Sequence, residues 1–469
     1  MRFFSLGAAL LGMTAAASAL ETIEVLGNKF FKQDGSQFFL KGVAYQLVPD
    51  DPLIDTEQCQ RDADLMKELG VNSIRVYHVD ASADHDGCMK AFADAGIYLL
   101  IDLDTFDTYV TPVDLHWNQT QHDLYAAVMD TFHNYDNVLG FFVGNENIAK
   151  KEDSVAAPFI KAAARDMKAY RDKKNYRKIP IGYSAADIVE LRPMLQDYLT
   201  CGGDSADIVD FFALNSYSWC DPADYNTSTY NMLETYAKDF PVPIFFSETG
   251  CNTPGPRLFA DQDAIFGKDM INDWSGSIIY EWIEEENHYG LISYGSSNAD
   301  ASNTHVAGGF IRKGTPTPVS PDFDNLKSKW ATNTPTGAQK SDVDPKTLTT
   351  PACPTSTNGG WWAIEGNVRL PTLGESVART FTTVPSATAD SQPQSAGKGS
   401  NGNDNIGKGS NSNGNSNTGN GNTGNGNNGS DNNKDDGKGK SNSAASRDKQ
   451  ITVLGPIIAA VILLIAVAL

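Results

Sequence analysis

Two glutamates in this chain each end a short apolar run. Val138-Leu-Gly-Phe-Phe-Val-Gly-Asn-Glu146 is an apolar run that stops abruptly on an amide and a carboxylate, and Pro243-Ile-Phe-Phe-Ser-Glu248 repeats the pattern. Val138 to Val143, short, apolar and flanked by Asp136-Asn137 and Gly144, reads as a strand buried on both faces. A buried strand with a carboxylate at its C-terminal tip is how barrel enzymes present reacting groups. Two such carboxylates suit glycoside hydrolysis, one as acid/base and one as nucleophile. The plainer alternative is a pair of strands that happen to finish beside exposed glutamates.

The elements that would hold these groups recur along the chain. Strand-like runs are expected at Phe38–Tyr45, Ser73–Val79, Ile97–Asp104, Val138–Glu146, Ile179–Ser184, Phe211–Tyr217, Ile244–Thr249 and Ser277–Trp282. Helical periodicity lies between most of them. Thr56–Leu69 has an apolar stripe of Cys59, Ala63, Met66 and Leu69 and an expected N-cap at Thr56. Asp123–Phe132, Ser154–Arg171, Ser228–Asp239 and Asp261–Asp273 read likewise. Eight strands alternating with helices predict an α/β fold, a (β/α)8 TIM barrel over residues 20–330. The two glutamates then end the fourth and seventh strands.

Both ends differ from this middle. Residues 1–19 have the basic start, apolar stretch and Ala17-Ser18-Ala19 site of a secretory signal. Residues 331–390 are rich in Thr, Pro and Ser but carry Cys353 and Trp361-Trp362, and are expected to pack back onto the barrel. Residues 391–450 contain almost nothing able to form a core and read as a flexible Asn/Gly/Ser-rich stalk. Small residues near Asn442 and Ser443, a polar spacer and the apolar tail 451–469 form a GPI-attachment pattern, with Asn442 or Ser443 as attachment site and the tail removed. The expected location is the outer face of the plasma membrane or the cell wall.

A formal net charge of −21 argues against a nucleic-acid partner. Six cysteines in a secreted chain suggest three disulfides, with 15 possible connectivities, and their spacings match no zinc pattern. No metal or cofactor is expected, and the chain is expected to act as a monomer. Sequons occur at Asn118, Asn226 and Asn428.

At Gly144-Asn-Glu146, Phe246-Ser-Glu-Thr-Gly-Cys251 and Glu285-Glu-Asn-His-Tyr-Gly-Leu291 the chain resembles the fungal β-1,3-glucanosyltransferases of glycoside hydrolase family 72. Lys41-Gly-Val-Ala-Tyr-Gln46, Ser73-Ile-Arg-Val-Tyr77 and Asp86-Gly-Cys-Met-Lys-Ala91 extend the likeness. With only Cys353 after the barrel, it resembles the subgroup without a cysteine-rich carbohydrate-binding module. The resemblance implies Glu146 as acid/base, Glu248 as nucleophile, and Asn145 as a sugar 2-hydroxyl contact. It implies that Arg75 and Tyr77 hold the Glu248 carboxylate, and that Gln46, Asp102, Tyr217, Tyr280 and Tyr289 bind sugar. It also implies the pairs Cys59–Cys88, Cys201–Cys353 and Cys220–Cys251. One departure is Thr249, where many relatives carry Tyr. The substrates would be β-1,3-glucan donor and acceptor chains, with Tyr217, Trp219 or Tyr289 as acceptor platforms. Two other readings remain open here: a secreted β-glucan hydrolase and a non-catalytic glucan-binding wall protein.

Overall fold

The computed structural model describes residues 20–48, 51–202, 204–357 and 360–375. The expected signal segment, the stalk, Asn428, Asn442, Ser443 and the apolar tail lie outside the described residues. An antiparallel hairpin, β1 (Glu24–Leu26) and β2 (Lys29–Phe31), precedes eight parallel strands that close into a barrel. These are β3 (Leu40–Ala44), β4 (Ser73–Val76), β5 (Tyr98–Asp102), β6 (Val138–Asn145), β7 (Ile181–Ala186), β8 (Phe211–Asn215), β9 (Ile244–Thr249) and β10 (Trp274–Ile279). Each is buried along nearly its whole length, as a sheet covered by helices outside and packed within requires.

The barrel interior changes character along its axis. Phe211 and Phe245 meet Phe142 near the N-terminal ends of the strands, and Phe30 from the hairpin packs 6.0 Å from Phe245. Gly182 is required there, because a Cβ would lie 2.3 Å from the Phe211 ring. Toward the C-terminal ends the inward positions become polar: Arg75, Asp102, Asn145, Ser184, Asn215 and Glu248. An apolar floor thus supports a polar mouth.

Element boundaries depart from the sequence expectations for identifiable reasons. Helix α1 (Thr56–Leu69) is capped by Asp55, whose side chain accepts from Gln58 N, so Thr56 is the first helical residue and not the cap. Helix α2 covers Asp86–Asp94. Helix α3 (Gln119–Phe132) starts four residues before the expected Asp123, because Asn118 and Gln121 form a capping box. A 3-10 turn at Lys151–Ala156 precedes α4 (Ala157–Lys173), and α5 spans Arg192–Thr200. Thr229 and Asp239, both at positive φ, bracket α6 (Tyr230–Ala237). Helix α7 is only Asp261–Ile265. Chain turns at Gly267 and Met270 then let β10 begin at Trp274, three residues before the expected Ser277, where Trp274 pairs with Ile244. Gly276, at φ 115, interrupts the apolar pattern that would have marked this start.

Helix α8 (Asp322–Thr332) follows the barrel, and the chain beyond it lies along the helical layer. Trp362 is fully buried 5.4 Å from Tyr198, Ala363 N donates to Ser154, and Gly374 N donates to the Trp117 carbonyl. Disulfides join Cys59–Cys88, Cys201–Cys353 and Cys220–Cys251. Cys201–Cys353 closes a loop across a separation of 152 residues. Losing a native disulfide costs about 2–5 kcal/mol, so Cys353→Ser should lower the thermal midpoint clearly; calorimetry giving an unchanged midpoint would contradict a stabilising role for the extension.

Candidate active site

The polar mouth is built around Arg75, which is fully buried on β4. Its Nε and Nη2 reach the two oxygens of Asp102 at 3.1 and 2.8 Å. Nη2 also donates to Asn145 Oδ1 at 3.0 Å, and Nη1 to Ser184 Oγ at 3.1 Å. The Tyr77 and Phe142 rings lie against the guanidinium, each 4.4 Å away. Asn145 Oδ1 accepts a second bond from Asn215 Nδ2, so neither of these bonds uses its own Nδ2, which only donates.

Glu146 and Glu248 both join this network, Glu248 at Arg75 and Glu146 through Asn215. Glu146 lies at φ 51 just past β6, half-buried, and its Oε1 accepts from Asn215 Nδ2 at 3.0 Å. Glu248, near the end of β9, accepts from Tyr77 Oη at 3.0 Å on one oxygen and from Tyr217 Oη at 2.9 Å on the other. Arg75 Nη1 is 3.5 Å from it. Burial raises the pKa of Glu146, with the Asn215 bond and the Arg75 charge opposing. Burial and then the Glu146 charge push Glu248 up to about 7, against Arg75, Tyr217 and Tyr77.

Tyrosines wall the cleft beside Glu248. Tyr217, Tyr280 and Tyr289 meet edge-on, with centroids 5.5 to 6.3 Å apart. Gln46 Nε2 reaches Tyr280 Oη at 2.7 Å. The Cys220–Cys251 bridge ties the segment after β8 to the segment after β9.

The structure brings together Gln46, Arg75, Tyr77, Asn145, Glu146, Tyr217, Glu248, Tyr280 and Tyr289. It corrects two expected roles, those of Asp102 and Trp219. Asp102 is not a sugar-facing group: it is 2% exposed and both its oxygens are bound by Arg75. Arg75 does reach Glu248 as expected, Nη1 lying 3.5 Å from it, although its closest contact is Asp102 and the Tyr77 and Tyr217 hydroxyls approach Glu248 more closely. Trp219 is not a platform, being buried with its ring 5.0 Å from Tyr230. Thr249 is buried toward Tyr230 and Asp261, behind the strand, so its departure from Tyr leaves the tyrosine wall untouched.

Sequence reasoning missed Asn215, Ser184 and Ser247. Asn215 Oδ1 accepts from both serine hydroxyls, at 3.0 and 2.7 Å, which orients its amide toward Glu146. Polar residues interrupting apolar strand runs were the available signal. The ion pair Asp187–Arg192 after β7 was missed too, since nothing local marks it. Asn118 caps α3 through Oδ1, and Asn226 is exposed.

A closed (β/α)8 barrel with paired carboxyls at its C-terminal mouth is the architecture of a glycoside-processing barrel. The comparisons narrow this. A family model described as Glucanosyltransferase, glycoside hydrolase family 72, matches residues 12–307, and the chain belongs to that family. It is 42% identical over 342 residues to 1,3-beta-glucanosyltransferase PGA5 of Candida albicans, covering 68% of this chain and 51% of that one. Protein EPD1 of Candida maltosa is 39% identical over 374 residues, covering 78% and 64%. The chain thus spans about half to two-thirds of the length of these curated relatives. The structure of Saccharomyces cerevisiae Gas2p in complex with laminaritriose and laminaritetraose superposes with a TM-score of 0.68 at 35% identity, covering 76% of this chain and 78% of that one.

Several buried carboxyls share the behaviour of Glu248. Burial lifts Asp62 and Asp261 to about 6 and Glu281 to about 8. Each folded-state value exceeds the unfolded one of about 4, so between the two the folded protein holds more protons than the unfolded chain. Stability therefore falls as pH rises from about 5 to about 8. Thermal unfolding should show a higher midpoint at pH 5 than at pH 8; the reverse order would contradict these shifts.

Proposed function

We propose that the chain is a retaining β-1,3-glucanosyltransferase, with Glu248 as nucleophile and Glu146 as acid/base. The observation that carries this reading is the unequal setting of two carboxyls at one barrel mouth. Glu248 has two hydroxyl donors and a guanidinium beside it, whereas Glu146 has one neutral amide. A hydrogen bond to a charged group contributes about 1.5–3 kcal/mol, so of the two carboxyls Glu248 is favoured to carry the charge and Glu146 the proton. Once Glu146 is neutral, its repulsion of a Glu248 carboxylate disappears.

Glu248 then attacks the anomeric carbon of a β-1,3 linkage inside the donor glucan while Glu146 gives its proton to the departing oxygen. The covalent glycosyl-enzyme keeps the energy of the broken bond, so no activated sugar is needed. Glu146, now ionised, takes the proton from the 3-hydroxyl at the non-reducing end of a second glucan, whose oxygen displaces Glu248. Water in place of that hydroxyl would give hydrolysis. Asn145 Nδ2 is available to the sugar 2-hydroxyl, a contact that strengthens in an oxocarbenium-like transition state. Support comes from the PGA5 name and from the laminari-oligosaccharides in the Gas2p complex. The GPI-attachment pattern fits the same reading, since an anchor there would hold the enzyme outside the plasma membrane beside its polymer.

Incubation with a reduced laminari-oligosaccharide and mass analysis should yield products longer than the substrate; only shorter ones would make the protein a hydrolase, and none at all a binding protein. Glu146→Gln and Glu248→Gln should each abolish both outcomes without unfolding, and substantial turnover by Glu248→Gln would remove it from the nucleophile role.

Tyr77→Phe deletes a donor that lowers the Glu248 pKa. The acid limb of kcat/KM, where Glu248 becomes protonated, should move to higher pH, and kcat should fall by roughly 10–100-fold. An unmoved acid limb would contradict the assignment. In cells, phosphatidylinositol-specific phospholipase C should release the protein from membranes, and finding Leu469 in the mature chain would overturn the GPI reading.

A further inference from the structure

Glu281 follows Tyr280 at the mouth of β10 and is fully buried, yet the double displacement gives it no task. Its side chain is held from two sides. Oε2 accepts from Gln46 Nε2 at 2.7 Å and Oε1 from Asn287 Nδ2 at 2.7 Å. Asn287 is itself oriented, since its Oδ1 accepts from Tyr289 N at 3.0 Å. The same Gln46 nitrogen reaches Tyr280 Oη at 2.7 Å.

An amide nitrogen has two hydrogens and only donates. With one hydrogen on Glu281 and the other on the Tyr280 oxygen, the Tyr280 proton cannot point back at Gln46. It must leave in another direction, and Tyr280 stands in the wall beside Glu248, 6.3 Å from the Tyr217 ring. Without the Glu281 carboxyl oxygen behind it as acceptor, the Gln46 amide could turn over and accept from Tyr280, withdrawing that proton from the cleft.

We propose that Glu281 is a positioning residue for the transfer reaction: by holding the Gln46 amide, it commits the Tyr280 hydroxyl to donating to a sugar oxygen in the cleft. The proposal rests on the glucan-cleft reading above. The backbone at Glu281 has ties of its own beside those of the side chain, Glu281 N to the Tyr289 carbonyl and Leu291 N to the Glu281 carbonyl.

A double-mutant cycle tests this. Glu281→Gln, Tyr280→Phe and the double variant are compared for kcat and KM on reduced laminari-oligosaccharide, with thermal unfolding alongside. Each single variant should lose about tenfold or more in kcat, with KM changed by less than about threefold. In the Tyr280→Phe background, Glu281→Gln should cost less than about twofold more, because the hydroxyl it directs is gone. Additive losses, or a Glu281→Gln enzyme within about twofold of wild type, would overturn the proposal. If Glu281→Gln does not fold, Asn287→Ala takes its place in the same cycle, with the same non-additivity expected and additivity again counting against it. Failure of the cycle in an enzyme that still elongates its substrate counts against Glu281 alone; loss of the transferase reading would appear instead in the Glu248→Gln assay.

Discussion

A guanidinium buried inside the barrel sets the terms for everything above it. An ionised group out of contact with water is costly unless it is paired and hydrogen-bonded. Arg75 meets that demand with a bidentate Asp102 and then spends its remaining donors on Asn145, Ser184 and Glu248. Each of those contacts constrains a further group. Asn145 and Ser184 both bind Asn215, and Asn215 binds Glu146. The two proposed catalytic carboxyls are thus held by one network, Glu248 directly and Glu146 through an amide whose orientation two serines dictate. Asp102 belongs to this network as a counter-charge, and its effect on the cleft passes through Arg75.

The strands that carry the network are rigid, but the tyrosine wall stands on segments beyond them. Those segments need their own supports. Arg257 supplies one: Nε pairs with Asp322 of α8 at 2.7 Å, while Nη1 and Nη2 donate to the Tyr280 and Tyr289 carbonyls at 3.0 and 2.8 Å. The helix after the barrel is therefore coupled to the wall of the cleft. The Cys220–Cys251 bridge does the same for the neighbouring segment. These ties hold the segments that carry the tyrosine wall to the barrel and to α8.

The barrel was legible in the sequence because parallel strands buried on both faces leave continuous apolar runs, and seven of the eight began within two residues of where those runs do. The eighth slipped because Gly276 breaks its apolar signal. The bounds of α1 were read correctly but its cap is Asp55 and not Thr56, and the start of α3 was misjudged where periodicity was followed in place of Asn118, the side chain able to cap. In the site, Glu146 and Glu248 were legible as charges that end apolar strands. The role of Asp102 was not, because whether a carboxylate faces sugar or a buried arginine depends on a neighbouring strand. Asn215 and Glu281 were hidden for the same reason: their partners lie 69 and 235 residues away in the chain.

In the proposed reaction Glu248 forms a covalent bond to sugar while Glu146 handles the proton. A Glu146→Gln enzyme given a glucosyl donor with an activated fluoride leaving group needs no acid for the first step but lacks the base for the second, so the intermediate should accumulate. Intact-protein mass spectrometry should then show the added glycosyl mass, and peptide mapping should place it on Glu248. A label on any other residue, or turnover of the donor with inverted anomeric configuration and no adduct, would contradict the account.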